Sequence, residues 1–105
     1  MKFIICFLFL IPLANATDLC SRYEARPRYT KALQVVANFM NLEFQELCRL
    51  EDVLDIEVQP SRIVTREGEV IPHVQVQLHR AYTSCIFMVN DEDGSISNHR
   101  CYSGF

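Results

Sequence analysis

The chain has 105 residues, half of them hydrophobic, with 13 acidic against 10 basic side chains and a formal charge of −3; it contains five cysteines, three glycines and no tryptophan. That length holds one small domain with a thin stability margin. The acidic balance argues against nucleic acid as a partner, because a phosphate backbone is bound by surplus Lys and Arg. Gly68, Gly94 and Gly104 are too dispersed to build a glycine-rich phosphate loop.

The first element is an export signal. Lys2 supplies a positive start, Phe3 to Leu13 form an apolar run, and Ala14-Asn15-Ala16 has the small-x-small form that signal peptidase reads. The run is shorter than the ~20 apolar residues a membrane span requires. The reading is therefore a signal peptide over 1–16, no stable membrane insertion, and a single small disulfide-bonded α+β domain over 17–105, secreted or periplasmic. Cleavage after Ala16 removes Cys6 and leaves Cys20, Cys48, Cys85 and Cys101. An even cysteine set in an exported chain implies two disulfides.

Thr17 to Pro27 reads as an extended polar arm tied down by Cys20. From Tyr29 the apolar residues Tyr29, Leu33, Val36, Met40, Phe44 and Leu47 recur at steps of three and four, which places them on one helical face. Thr30 is the expected N-cap. Asn38 and Asn41 weaken the middle, so either one helix or two shorter ones broken near Asn41 fits the pattern.

Beyond Asp52 the period falls to two. Leu54, Ile56 and Val58 alternate with Asp55, Glu57 and Gln59, the mark of a half-buried strand. Pro60, which lacks an amide donor, marks a strand end, a bulge or an edge. Ser61 to Arg66 continues the strand, and Arg66-Glu67-Gly68-Glu69 is a turn. Val74, Val76 and Leu78 then alternate with His73, Gln75, Gln77 and His79, so this strand has one wet face. The last segment runs from Tyr82 to Tyr102. Glu92, Asp93 and Gly94 suit a three-residue hairpin loop with glycine in the left-handed position. That register pairs Asp91 with Ser95, Val89 with Ser97, Phe87 with His99, and Cys85 with Cys101. Cysteines falling opposite each other in a register chosen without them predict the bridge Cys85–Cys101, and Cys20–Cys48 is the pair that remains. The fold class expected is α+β: an N-terminal helix packed on a meandering antiparallel sheet of about four strands, with two disulfides.

Helix first, then an antiparallel sheet whose last hairpin carries a disulfide, resembles the layout of the cystatins. The letters Gln34-Val35-Val36-Ala37-Asn38 are similar to the Q-V-V-A-G loop of that family. They fall within the helical stripe, lack the glycine, and no tryptophan is present for the family's late P-W loop. The resemblance implies a layout, and no inhibitory residue carries over.

For chemistry, the histidines come first. His73 and His79 share a strand face but sit about 20 Å apart at the usual rise, too far to act on one phosphate or hold one metal. Only His99 folding back on one of them makes a secreted nuclease-like hydrolase, with Arg80, Arg100 or Glu69 as partner. In the turn from Asn90 to Ser95 the alternate position before Asp91 is Val89, and no acidic residue follows at the distance of a calcium loop's last glutamate, so a solvated hairpin tip explains the acids. The cysteines are committed to disulfides, no serine sits in a G-x-S-x-G elbow, and no H-E-x-x-H or paired C-x-x-C site is present. The expectation is therefore a protein without enzyme activity, cofactor or resident metal.

Charge is segregated instead. Glu43, Glu46, Glu51, Asp52, Asp55 and Glu57 face only Arg49 across the helix end and first strand, while Arg22, Arg26, Arg28 and Lys31 gather near the arm. This favours binding of another, basic protein by electrostatic steering, as an inhibitor, an immunity-type factor or an accessory subunit. The contact residues expected are Glu51 and Asp52, with Asp91, Glu92 and Asp93 at the hairpin tip. A subunit of a secreted homo-oligomer, burying Tyr102 and Phe105 between copies, is the further alternative.

Overall fold

The computed structural model describes residues 18–103; the signal-peptide assignment and Phe105 lie outside them. The elements are a 3₁₀ turn at Ser21–Tyr23, helix α1 at Pro27–Phe39, a one-turn helix α2 at Phe44–Leu47, and strands β1 at Val53–Val64, β2 at Val70–Arg80, β3 at Thr83–Asn90 and β4 at Ile96–Ser103. The four strands form one antiparallel sheet in the order β1-β2-β3-β4. The α+β class, the meander and both disulfides, Cys20–Cys48 and Cys85–Cys101, are those expected.

Helix α1 begins four residues earlier than an N-cap at Thr30 would place it. Arg26 is the N-cap, in an extended conformation, and Pro27 occupies the first turn. A proline there loses nothing, because its missing amide would have had no helical partner. Thr30 is thus inside the helix, and its hydroxyl donates back to the Pro27 carbonyl at 3.0 Å. The arm before it is also not extended: it makes the 3₁₀ turn, and the Leu19 amide donates to the Cys48 carbonyl beside the disulfide.

Of the two helical readings, the broken one is observed. Asn41 has φ 65°, the left-handed conformation that asparagine tolerates better than most residues. Around it the Leu42 amide donates to the Ala37 carbonyl and the Asn41 amide to the Asn38 carbonyl. These two bonds make the C-terminal cap in which a left-handed residue satisfies the last carbonyls and ends the helix. The chain then turns, and α2 delivers Leu47 and Cys48 to the core.

The core lies between α1 and one face of the sheet. Tyr29, Ala32, Leu33, Val36 and Ala37 from the helix meet Ile56 and Val58 of β1, Val74, Val76 and Leu78 of β2, and Cys85, Phe87 and Val89 of β3, all buried. The alternation read from the sequence holds for Ile56 and Val58 on β1 and for Val74, Val76 and Leu78 on β2, but it fails at two places: an irregularity between Val53 and Asp55 turns Val53 inward and leaves Leu54 66% exposed, and His73, expected on the wet face of β2, is buried. Strand β4 is different: from Ser97 to Ser103 every residue is exposed, because the single helix covers the first three strands and leaves the fourth bare.

The last hairpin shows how the expected register survives a wrong loop. Asn90 and Ser95 close it, with Gly94 N–H donating to Asn90 O and Asn90 N–H to Ser95 O, so the loop has four residues rather than three. Val89 therefore faces Ile96, not Ser97. An irregularity between Met88 and Val89 leaves Ser97 as the extra residue on β4 and restores the ladder, so that Phe87 faces His99 and Cys85 faces Cys101. The one-residue shift at the tip and the one-residue bulge cancel.

The two sheet edges are treated unequally. On β1 the Tyr23 hydroxyl donates to the Ile56 carbonyl and accepts from the Val58 amide, and Arg22 also donates to Ile56 O at 2.8 Å. Side chains of the 3₁₀ turn thus occupy the hydrogen-bonding positions a further strand would use. Pro60, further along β1, faces Val74 without interrupting the strand, as its place on an edge strand allows.

Candidate functional site

Three regions carry the exposed chemistry of the described residues. The first is a hollow of about 690 Å³ lined by Gln45, Glu46, Arg49, Leu50, Glu51 and Asp52, where α2 and the following turn meet the start of β1. Three carboxylates against one guanidinium make it acidic. Asp52 is held by Arg80 of β2 at 2.9 Å, which leaves Glu46 and Glu51 as the less compensated charges.

The second is the tip of the β3–β4 hairpin, where the other expected contact residues sit. Asp91 accepts from Arg28 of α1 at 2.6 Å, its amide donates to the Pro72 carbonyl, and Arg28 also reaches the His73 carbonyl. This triangle ties the helix start, the hairpin tip and β2 together. Asp93 accepts from both the hydroxyl and the amide of Ser95, at 2.7 and 2.9 Å. Those bonds, the hydroxyl first, hold its carboxyl below the ordinary value of 3.8. Because the folded state favours the ionised form, the contribution is present above that ordinary value and is lost as pH falls through the lowered one. Ser95→Ala is expected to raise the Asp93 titration midpoint, read by carboxyl-carbon NMR, towards the ordinary value, and an unmoved midpoint would reject the assignment.

The two acidic regions expected to act together are far apart. Asp52 adjoins Val53, which faces Arg80 at one end of β2, whereas Asp91 bonds to Pro72 at the other. Eight residues of strand separate them, about 26 Å. Glu51 with Asp52, and Asp91 with Glu92 and Asp93, are two surfaces rather than one.

The third region is a ribbon formed by β1 and β2. The pairing of β2 with β3 starts at His73, but its pairing with β1 continues through Arg62–Pro72, Ile63–Ile71 and Val64–Val70. These residues and the turn between them project beyond β3 as two strands alone. The turn is well closed: Thr65 N–H donates to Glu69 O, Gly68 N–H to Thr65 O, and Glu69 N–H to the Thr65 hydroxyl. Gly68 there has φ 87°, which favours glycine. Val64 and Val70 prolong the core face past the cover of α1 and are 56% and 55% exposed.

The three imidazoles do not meet. His73 is 1% exposed, with Nδ1 2.9 Å from the Ile71 carbonyl and Nε2 2.8 Å from the Ser97 hydroxyl. His99 stacks on Phe87 at 4.4 Å between centroids and contacts Phe39 edge-on at 5.1 Å, so it belongs to the helix-facing side of the sheet. Its nearness to Cys85 and Cys101 places three potential ligand atoms within 4.8 Å, but disulfide sulfurs lack the thiolate a metal takes. His79 lies on the opposite sheet face. There Nε2 is 2.7 Å from the Glu57 carboxylate and Nδ1 is 3.0 Å from the Ser84 hydroxyl.

From the sequence Glu57 counts only as one member of the acidic stretch, and Ser84 is not singled out at all. The signal was available in part: strand alternation put Glu57 and His79 on the same solvent side. What it could not supply was the pairing of His79 with Ser84 across the β2–β3 turn. Among the described residues no helix is long and apolar enough to cross a membrane. Compared with known protein families, curated proteins and solved structures, the chain matches none.

Proposed function

We propose that this is an exported protein that binds another protein, with the β1–β2 ribbon as the element that inserts into the partner. The observation that carries this reading is the ribbon itself. A two-stranded hairpin alone in water is marginally stable, and this one extends past the sheet with a rigid turn and an exposed Val64–Val70 pair on its uncovered face. Arg62 and Arg66 balance Glu67 and Glu69, so the ribbon suits an apolar cleft and gains little from charge. An inhibitor, an immunity-type factor or an accessory subunit are the forms such a protein takes.

The acidic hollow supports a basic rim on the same partner. It would act on approach more than on residence, since exposed charges alter association rates and their salt dependence more than they alter dissociation. The hairpin acids Asp91, Glu92 and Asp93 flank the base of the ribbon and are the second set of candidate contacts.

The test is capture from the native compartment on the oxidised mature protein, with variants as parallel baits. Val64→Lys with Val70→Lys is expected to abolish stoichiometric capture while leaving the circular dichroism spectrum unchanged, because both positions are solvent-facing. Glu51→Lys with Asp52→Lys is expected to slow association with the captured protein and flatten its salt dependence. Capture that survives both lysines in the ribbon would overturn the assignment of the ribbon.

A further inference from the structure

The solvent face of the sheet carries a hydrogen-bonded chain that crosses three strands. The His79 imidazole of β2 lies between the Glu57 carboxylate of β1, 2.7 Å from Nε2, and the Ser84 hydroxyl of β3, 3.0 Å from Nδ1. The protonation pattern follows from the end members. An ionised carboxylate can only accept, so in the neutral imidazole Nε2 carries the proton that points to Glu57, and Nδ1 has a lone pair for the Ser84 hydroxyl. A hydroxyl on an imidazole nitrogen, with the other nitrogen bound to a carboxylate, is the arrangement that activates a serine for acyl transfer.

A place for a substrate lies on the same face. Beyond Ser84 along β3 come Ile86 and Met88, and across from them on β4 come Tyr102, Arg100 and Asn98. With Ile63 and Gln75 these residues line a depression of about 320 Å³. Tyr102 stands directly opposite Ser84 in the ladder, and Arg100 opposite Ile86. The lining is mixed, with Ile63, Ile86 and Met88 beside Gln75, Asn98, Arg100 and Tyr102, and its one permanent cation is Arg100; Ser84 and His79 lie next to the depression rather than in its lining.

We propose that Ser84, His79 and Glu57 form an esterolytic site that acts on activated esters, such as aryl esters of short acids. The Ser84 oxygen attacks the ester carbonyl and its proton passes to His79 Nδ1, while Glu57 holds the resulting imidazolium. The carbon–oxygen bond to the leaving group breaks, and that group takes the proton from His79. Water, deprotonated by His79, then cleaves the acyl-serine and releases the acid, restoring the Ser84 hydroxyl. The net reaction consumes one ester and one water and yields one acid and one alcohol.

The fold also sets the limit on substrate class. Ser84 lies in an interior strand whose pairings run to β2 and β4 on either side, so the sheet supplies no pair of free amides to an oxyanion. Each missing donor lowers turnover about 10²–10³-fold. Arg100 and Tyr102 are the side-chain donors on that face, and the chemistry is therefore confined to esters with good leaving groups and excludes amides.

The experiment uses the oxidised full-length mature protein with a fluorophosphonate as trapping reagent and 4-nitrophenyl acetate as substrate. Peptide mass mapping is expected to find one adduct, on Ser84, absent from His79→Ala. Ester hydrolysis is expected to fall at least 10-fold in Ser84→Ala and several-fold in Glu57→Gln. Ser84 is partly exposed, and an unchanged near-ultraviolet spectrum shows that the alanine variant has folded. Adducts spread over several serines, or a folded Ser84→Ala variant hydrolysing at the wild-type rate, would overturn the proposal. Partner capture plays no part in either readout.

Discussion

Phe87→Ala is expected to lower the unfolding free energy by about 3–5 kcal/mol, the usual effect of removing a buried phenyl group. Phe87 is 2% exposed at the middle of β3, where α1 crosses the sheet. Its ring stacks on His99 at 4.4 Å and meets Phe39 edge-on at 5.7 Å. Such aromatic pairs add about 0.5–1.5 kcal/mol beyond the area they bury. Alanine leaves a cavity that cannot collapse easily, because the ladder fixes β3 between two neighbours and the Cys85–Cys101 bridge holds its edge. Phe39, by contrast, is 54% exposed, and Phe39→Ala should cost about 1 kcal/mol or less. Urea denaturation of both variants with disulfides intact measures the difference. Equal effects would mean that the helix does not centre on Phe87.

Removing the Cys20–Cys48 bridge by a double alanine substitution is expected to cost more than removing Cys85–Cys101. The two bridges span sequence separations of 28 and 16. On loop entropy alone these correspond to about 3.5 and 3 kcal/mol. Packing widens the gap, since Cys20 and Cys48 are both buried whereas Cys101 is exposed. The first bridge also pins the 3₁₀ turn, whose Tyr23 hydroxyl bonds to β1, and without it that edge of the sheet opens. The second bridge joins strands already held by backbone bonds. Thermal unfolding of the two double variants gives the order, and a greater loss from the Cys85–Cys101 pair would refute it. Both losses are a large share of the stability of a domain this size.

Much of the fold was legible because it rests on periodicity. Leu33 and Val36 recur at helical spacing; Val74, Val76 and Leu78 recur at strand spacing; each set turned out to be buried. The disulfide in the last hairpin was legible through a register that was right at Cys85 and Cys101 although the loop was one residue too short. Proline at the start of α1 was misread because the residue is neutral in the first turn and disruptive only beyond it. Asn41 was the reverse case: a residue that tolerates positive φ stood where the helix does break.

The candidate surfaces were less legible, because they depend on which residues become neighbours. The register that put His99 opposite Phe87 already placed it on the core face, so it could not join His79. The acids at Asp52 and Asp91 carry the same charge in the sequence, yet each is bound to a distant arginine, Arg80 or Arg28, and they lie at opposite ends of β2.

By itself the sequence determined the four strands and the main helix, their order, the cysteine pairing and most of the inward-facing residues, since these follow from local spacing and from the alternation of a strand; Leu54, exposed, and His73, buried, are the departures. Only the tertiary structure decided three things: that one helix covers three strands of four, that the first hairpin outruns the sheet, and that Glu57, His79 and Ser84 meet. Each depends on how far one strand extends relative to its neighbours and on contacts between residues 5 to 22 positions apart. Spacing along a chain carries no record of those distances, because they are fixed only when the sheet is assembled.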